Sequence, residues 1–80
     1  MSPSEPPVTV VTSADRDEGA AVARALASDR SVVVLCGRDA DALGSLQREL
    51  PGRVAIFLGD PAIEPDAAAL REMVAELFNH

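Results

Sequence analysis

From Val8 onward the chain alternates short apolar runs with longer stretches whose apolar residues fall at helical spacing. Val8, Thr9, Val10 and Val11 form a β-branched run and predict a first strand. Residues 12–18 are polar and turn-like, and Asp15 with Glu18 three positions later resembles a capping box. Residues 19–27 are Ala-rich, with Val22 and Leu26 one turn apart, and predict a helix broken by Ser28, Asp29 and Arg30. Residues 31–36 are apolar without alternation, the pattern of a strand buried on both faces in a parallel sheet. After Gly37 and Arg38, Asp39 reads as an N-cap. Leu43, Leu46 and Leu50 mark one stripe of a second helix, which Pro51 and Gly52 stop. Residues 54–58 predict a third buried strand, and Gly59, Asp60 and Pro61 turn the chain again. Pro65 suits the first position of a third helix, whose apolar face comprises Leu70, Met73, Val74, Leu77 and Phe78.

The order is βαβαβα. Strands alternating with helices predict an α/β fold with a parallel sheet. Right-handed crossovers then give a three-stranded sheet ordered 3-2-1 with helices on both faces, one mononucleotide-binding half of a doubly wound fold. Residues 1–7 hold three prolines and two serines and read as a flexible tail, leaving 8–80 as the half domain.

Composition narrows the function. The 80 residues carry a formal net charge of −6, and all seven basic residues are Arg. Without a basic cluster, nucleic acid and an anionic membrane surface are poor partners. Hydrophobic residues make up 48%, too many for a disordered chain, yet many are Ala and there is neither Trp nor Tyr. A domain this small buries only about 60% of its unfolded surface, so its core is thin and a protein partner would add to it. The single cysteine, Cys36, has no internal disulfide partner and reads as a small buried hydrophobe. The first residues lack the basic and apolar regions of a signal peptide, and no apolar run approaches a membrane span. A cytoplasmic protein is the expectation.

The stretch from Val10 through Thr12, Ser13, Ala14, Asp15, Arg16, Asp17 and Glu18 to Gly19 resembles the opening of the short-chain dehydrogenase/reductases, where the first strand runs into Thr-Gly-x-x-x-Gly-x-Gly. The Ala-rich helix, the run from Val32 into Gly37, Arg38 and Asp39, and the Gly59-Asp60 turn are similar to the segments that follow in that family. The resemblance covers nearly all of this chain and only the first part of the family's domain. It implies a cofactor site at Thr12, Ser13, Arg16, Gly19, Arg38 and Asp60. In that family Arg16 and Arg38 resemble the pair that grips the 2′-phosphate of NADP, and Asp60 resembles the Asp that contacts adenine. Read without the family, the arginines are exposed loop residues and Asp60 is a turn residue or N-cap.

Two motif positions depart from the family. Ser13 stands where the first Gly belongs and Asp17 where the second belongs. Glycines let backbone approach a pyrophosphate, and the helix N-terminus supplies its amides and dipole. A Cβ at Ser13 crowds that turn, and carboxylates at Asp17 and Glu18 repel phosphate. The same acids also suit a plain helix start. The expectation is no cofactor, or NADP bound weakly.

The family's Tyr-x-x-x-Lys pair has no counterpart, since these residues include neither Tyr nor Lys. No catalytic residue and no metal-ligand spacing is assigned, and His80 is the only histidine. Two functions follow. One is a non-catalytic module that associates with a protein, as a homo-oligomer or with a different partner. The other is the NADP-binding part of an oxidoreductase whose catalytic half lies on another chain.

Overall fold

The computed structural model describes residues 8–78, with side-chain surroundings through Leu77. The tail at 1–7 and the Phe78 side chain lie outside the described residues. The elements run β1 (Val8–Val11), α1 (Asp17–Leu26), β2 (Val32–Gly37), α2 (Ala40–Glu49), β3 (Arg53–Leu58) and α3 (Glu64–Phe78). The strands form one sheet in the order β1-β2-β3, and both pairings are parallel. Val8 lies opposite Val32, and Val32 opposite Arg53.

β2 occupies the centre, and all six of its residues are buried. Its side chains alternate between two cores, as the strand period requires. Val33 and Leu35 point to one face, where they meet Val11, Ala23 of α1, and Leu43 and Leu46 of α2. Val34 and Cys36 point to the other, against Leu70 with Met73, Val74 and Leu77 of α3. Helices therefore cover both faces of the sheet. Leu35, Leu43 and Val33 are fully buried, and burying side chains of this size contributes about 1.5–3 kcal/mol each.

Three local expectations are corrected. β3 is half-buried, with Leu58 at 58% exposure, because it forms one edge of the described sheet. α1 does not start at a capping box: its N-cap is Arg16, which makes no side-chain cap bond, because Asp15 is engaged elsewhere. α3 begins at Glu64, one residue before Pro65. Proline is tolerated in the first turn because its missing N–H would have no helical partner there. Asp39 caps α2 as expected, its carboxylate accepting from the amides of Asp41 and Ala42.

α1 meets the core through its smallest residues. Gly19 and Ala23 are buried, while Val22 and Leu26 are each 49% exposed. Among the described residues no helix is long and apolar enough to cross a membrane.

Candidate functional site

The C-terminal ends of all three strands open onto one pocket of about 350 Å³. This is the side on which open α/β sheets bind ligands. Thr12, Ser13, Arg16, Arg38 and Asp60 line it together, with Asp15, Gly59 and Pro61 completing the wall. Gly19 is placed elsewhere. It sits behind the turn, where a Cβ would lie 2.0 Å from the Ser13 carbonyl oxygen. Its role is the close approach of α1 to the loop, and it lines a groove of about 390 Å³ along β1 instead.

The loop after β1 is a tight turn. Ser13 takes φ of 52°, the left-handed region that costs a side chain energy and a glycine almost none. The Arg16 amide donates to the Ser13 carbonyl at 3.0 Å, closing the turn. The Ala14 amide donates to the Cys36 carbonyl at 2.8 Å, anchoring the loop to the end of β2. The Gly59 amide donates to the Gly37 carbonyl at 2.9 Å, bringing the turn after β3 alongside.

Asp15 joins two of these loops. Its Oδ2 accepts from the backbone amides of Arg38 at 2.8 Å and Asp39 at 3.1 Å. Those bonds, Arg38's first and Asp39's second, hold its carboxyl below the usual carboxylate range. Gly37 makes room for the carboxylate, since a Cβ there would come within 2.6 Å of its carbon. Sequence reasoning placed Asp15 at a helix start and missed this role. An acid after β1 facing a glycine at the end of β2 is the signal that could have found it.

Asp60 closes the opposite wall. Its Oδ1 accepts from the Ala62 amide at 2.9 Å, so it shapes its own turn, and its Oδ2 lies 3.8 Å from the Arg38 guanidinium. Asp66 accepts from the Asp60 amide at 2.9 Å and fixes that turn against α3. Arg38 is 71% exposed, so its pairing with Asp60 is a loose surface contact.

The set departs from a pyrophosphate cradle in three ways. The turn carries Ser13 in a glycine conformation. Asp17 and Glu18 occupy the first turn of α1, where an anion would approach. Asp15 already holds the two amides beside Arg38. Among the described residues, no three His, Cys, Asp or Glu side chains gather closely enough to hold a metal ion.

The second feature is the free edge of β1. Among the described residues β1 pairs only with β2. Val10 beside that edge is 39% exposed, and with Val22 of α1 it lines the groove of about 390 Å³.

No family model and no curated protein matches the chain. Solved structures do. L-sorbose reductase from Gluconobacter frateurii, solved with NADPH and L-sorbose, is similar at 28% identity with a TM-score of 0.75, over 90% of this chain and 29% of that one. A short chain dehydrogenase from Bacillus anthracis shares the fold at 22% identity with a TM-score of 0.79, over 91% of this chain and 32% of that one. This chain thus spans about a third of their length or less. It is a half-Rossmann unit similar to the N-terminal part of the short-chain dehydrogenases.

Proposed function

We propose that this chain is a non-catalytic Rossmann-like module that acts by association, pairing the free edge of β1 with β1 of a second copy. The carrying observation is the edge itself, flanked by exposed Val10 and Val22. In a doubly wound sheet the first strand is interior, with a neighbour on each side. An unpaired strand beside exposed apolar side chains is a template for another strand. A two-fold axis perpendicular to the sheet pairs the two β1 strands antiparallel and makes one six-stranded sheet. Each copy carries a formal net charge of −6, so the copies repel and salt strengthens the pairing. These residues supply neither the Tyr nor the Lys of the reductase reaction, and no carbonyl turnover with NADPH is expected.

The test is amide hydrogen exchange at β1. Exchange there slows as concentration rises, and Val22→Arg abolishes the effect while leaving β2 protected. Exchange at β1 that is fast and independent of concentration in the folded protein refutes the pairing.

A second reading has one observation in its favour. Arg16 and Arg38 line the same pocket as Thr12, Ser13 and Asp60, and the similar sorbose reductase was solved with NADPH. On this reading the chain is the NADP-binding part of an oxidoreductase completed by another polypeptide. The crowded, acidic loop sets the expected dissociation constant at roughly 0.1 mM or weaker. Calorimetry with NADPH decides it: micromolar binding favours this reading over association.

A further inference from the structure

The pocket holds two arginines, yet the backbone amides of Arg16, Arg38 and Asp39 are spent on the protein itself. We propose that Asp15 is the residue that closes this pocket to phosphate, its carboxylate holding the backbone amides on which an anion entering beside Arg38 would rest. The inference does not depend on whether the chain self-associates.

Four observations carry it. A single oxygen, Asp15 Oδ2, accepts from both Arg38 and Asp39. Three donors further along the chain are also engaged: the amides of Asp41 and Ala42 donate to Asp39 Oδ1 at 3.1 Å each, and the Leu43 amide to the Asp39 carbonyl at 3.0 Å. Gly37 presents no Cβ where the Asp15 carboxylate sits, so the carboxylate is seated in a fitted place rather than lying loose on the surface. Asp60 on the far wall stands 3.8 Å from Arg38 and draws on its charge.

At the Arg38 end of the pocket an entering phosphate would therefore find the Arg38 guanidinium, 71% exposed and shared with Asp60, but not the amides of Arg38 and Asp39. It would also face the carboxylates of Asp15 and Asp60 at close range. Like charges at such separations oppose binding, and a bidentate arginine contact at an exposed site offsets little of that. The Arg38 end of the pocket is thus unsuited to a phosphate monoester. Replacing Asp15 by Ser removes one charge and releases both amides to a ligand.

The experiment is a titration of isotope-labelled protein with inorganic phosphate, read at the Arg38 and Asp39 amides by NMR. The unmodified protein shows no saturable shift there. Asp15→Ser shows saturable shifts at both amides and binds phosphate at least about tenfold more tightly, a gain of roughly 1.4 kcal/mol. Saturable phosphate binding at these amides in the unmodified protein overturns the proposal, as does a folded Asp15→Ser variant with no gain. If Asp15→Ser does not fold, Asp15→Ala carries the same comparison, since it also sheds the charge and releases both amides. Adenosine 2′-monophosphate titrated beside adenosine separates this claim from the nucleotide reading. A gain for inorganic phosphate with no binding of either nucleoside compound upholds the role of Asp15 and refutes nucleotide recognition.

Discussion

Two glycines in helices predict opposite responses to the same added methyl group. Gly19 lies in α1 and Gly44 in α2. Alanine gains roughly 1 kcal/mol over glycine inside a helix, and both positions share that gain. At Gly44 the new Cβ meets only a guanidinium nitrogen of Arg48 at 3.8 Å, an ordinary contact with a flexible side chain. At Gly19 it would lie 2.0 Å from the Ser13 oxygen, 2.5 Å from the Ser13 carbonyl carbon and 2.8 Å from the Thr12 oxygen. All three atoms are backbone, and the turn that holds them is tied to β2 through the Ala14 amide. Relief requires α1 to move off the sheet by about an ångström, opening the packing of Ala23 on the core. Overpacking of this kind costs about 1–3 kcal/mol, and an overlap this deep belongs at the upper end. The net expectation is a loss of about 2 kcal/mol for Gly19→Ala and a gain of about 0.5–1 kcal/mol for Gly44→Ala. With a urea slope of about 1 kcal/mol/M, the midpoints shift by roughly 2 M downward and 0.5–1 M upward. Urea melts followed by circular dichroism measure both. A Gly19→Ala protein as stable as the parent refutes the close approach on which the loop is built.

Leu43→Ala, at a fully buried site, should cost about 2–5 kcal/mol, whereas Leu58→Ala at the exposed end of β3 should change stability by less than about 0.5 kcal/mol in the same melts. The Asp15 carboxyl is held low in the folded protein by amides that an unfolded chain does not supply. Its contribution is therefore present above the ordinary carboxyl pKa of about 3.9 and is lost as pH falls through the lower folded value. The stability gap between the unmodified protein and Asp15→Asn should accordingly be widest near neutral pH and narrow under acid. Burial raises the Cys36 pKa and shields its sulfur, so a thiol reagent should label it only after denaturant is added. Arg24 of α1 and Glu49 of α2 form a double hydrogen bond at the surface, with side chains 53% and 49% exposed. Arg24→Ala should lower the urea midpoint slightly at low salt and not at high salt.

Where burial decided the structure, the sequence was readable. The unbroken apolar run through Val33, Val34 and Leu35 meant a strand covered on both faces, and β2 is that strand. Asp39 was readable as a cap because its bonds reach only two and three residues ahead. Five residues singled out for the site, Thr12, Ser13, Arg16, Arg38 and Asp60, do line one pocket, because strand ends in a parallel sheet converge. Asp15 was misread because its partners are backbone amides 23 and 24 residues away, and a backbone amide carries no residue signature. β3 was misread because its apolar run is the same whether one or two strands flank it. The exposure of Val22 depended on how α1 sits. The Gly19 and Ala23 face allows the closest approach to the sheet, so the larger side chains turn outward.

Sedimentation velocity on the unmodified chain, over a hundredfold dilution centred on micromolar concentration, tests the association claim most directly. The account predicts a dimer at the concentrated end that dissociates on dilution and is favoured by added salt. A folded species of 8.3 kDa at every concentration and salt level would contradict it.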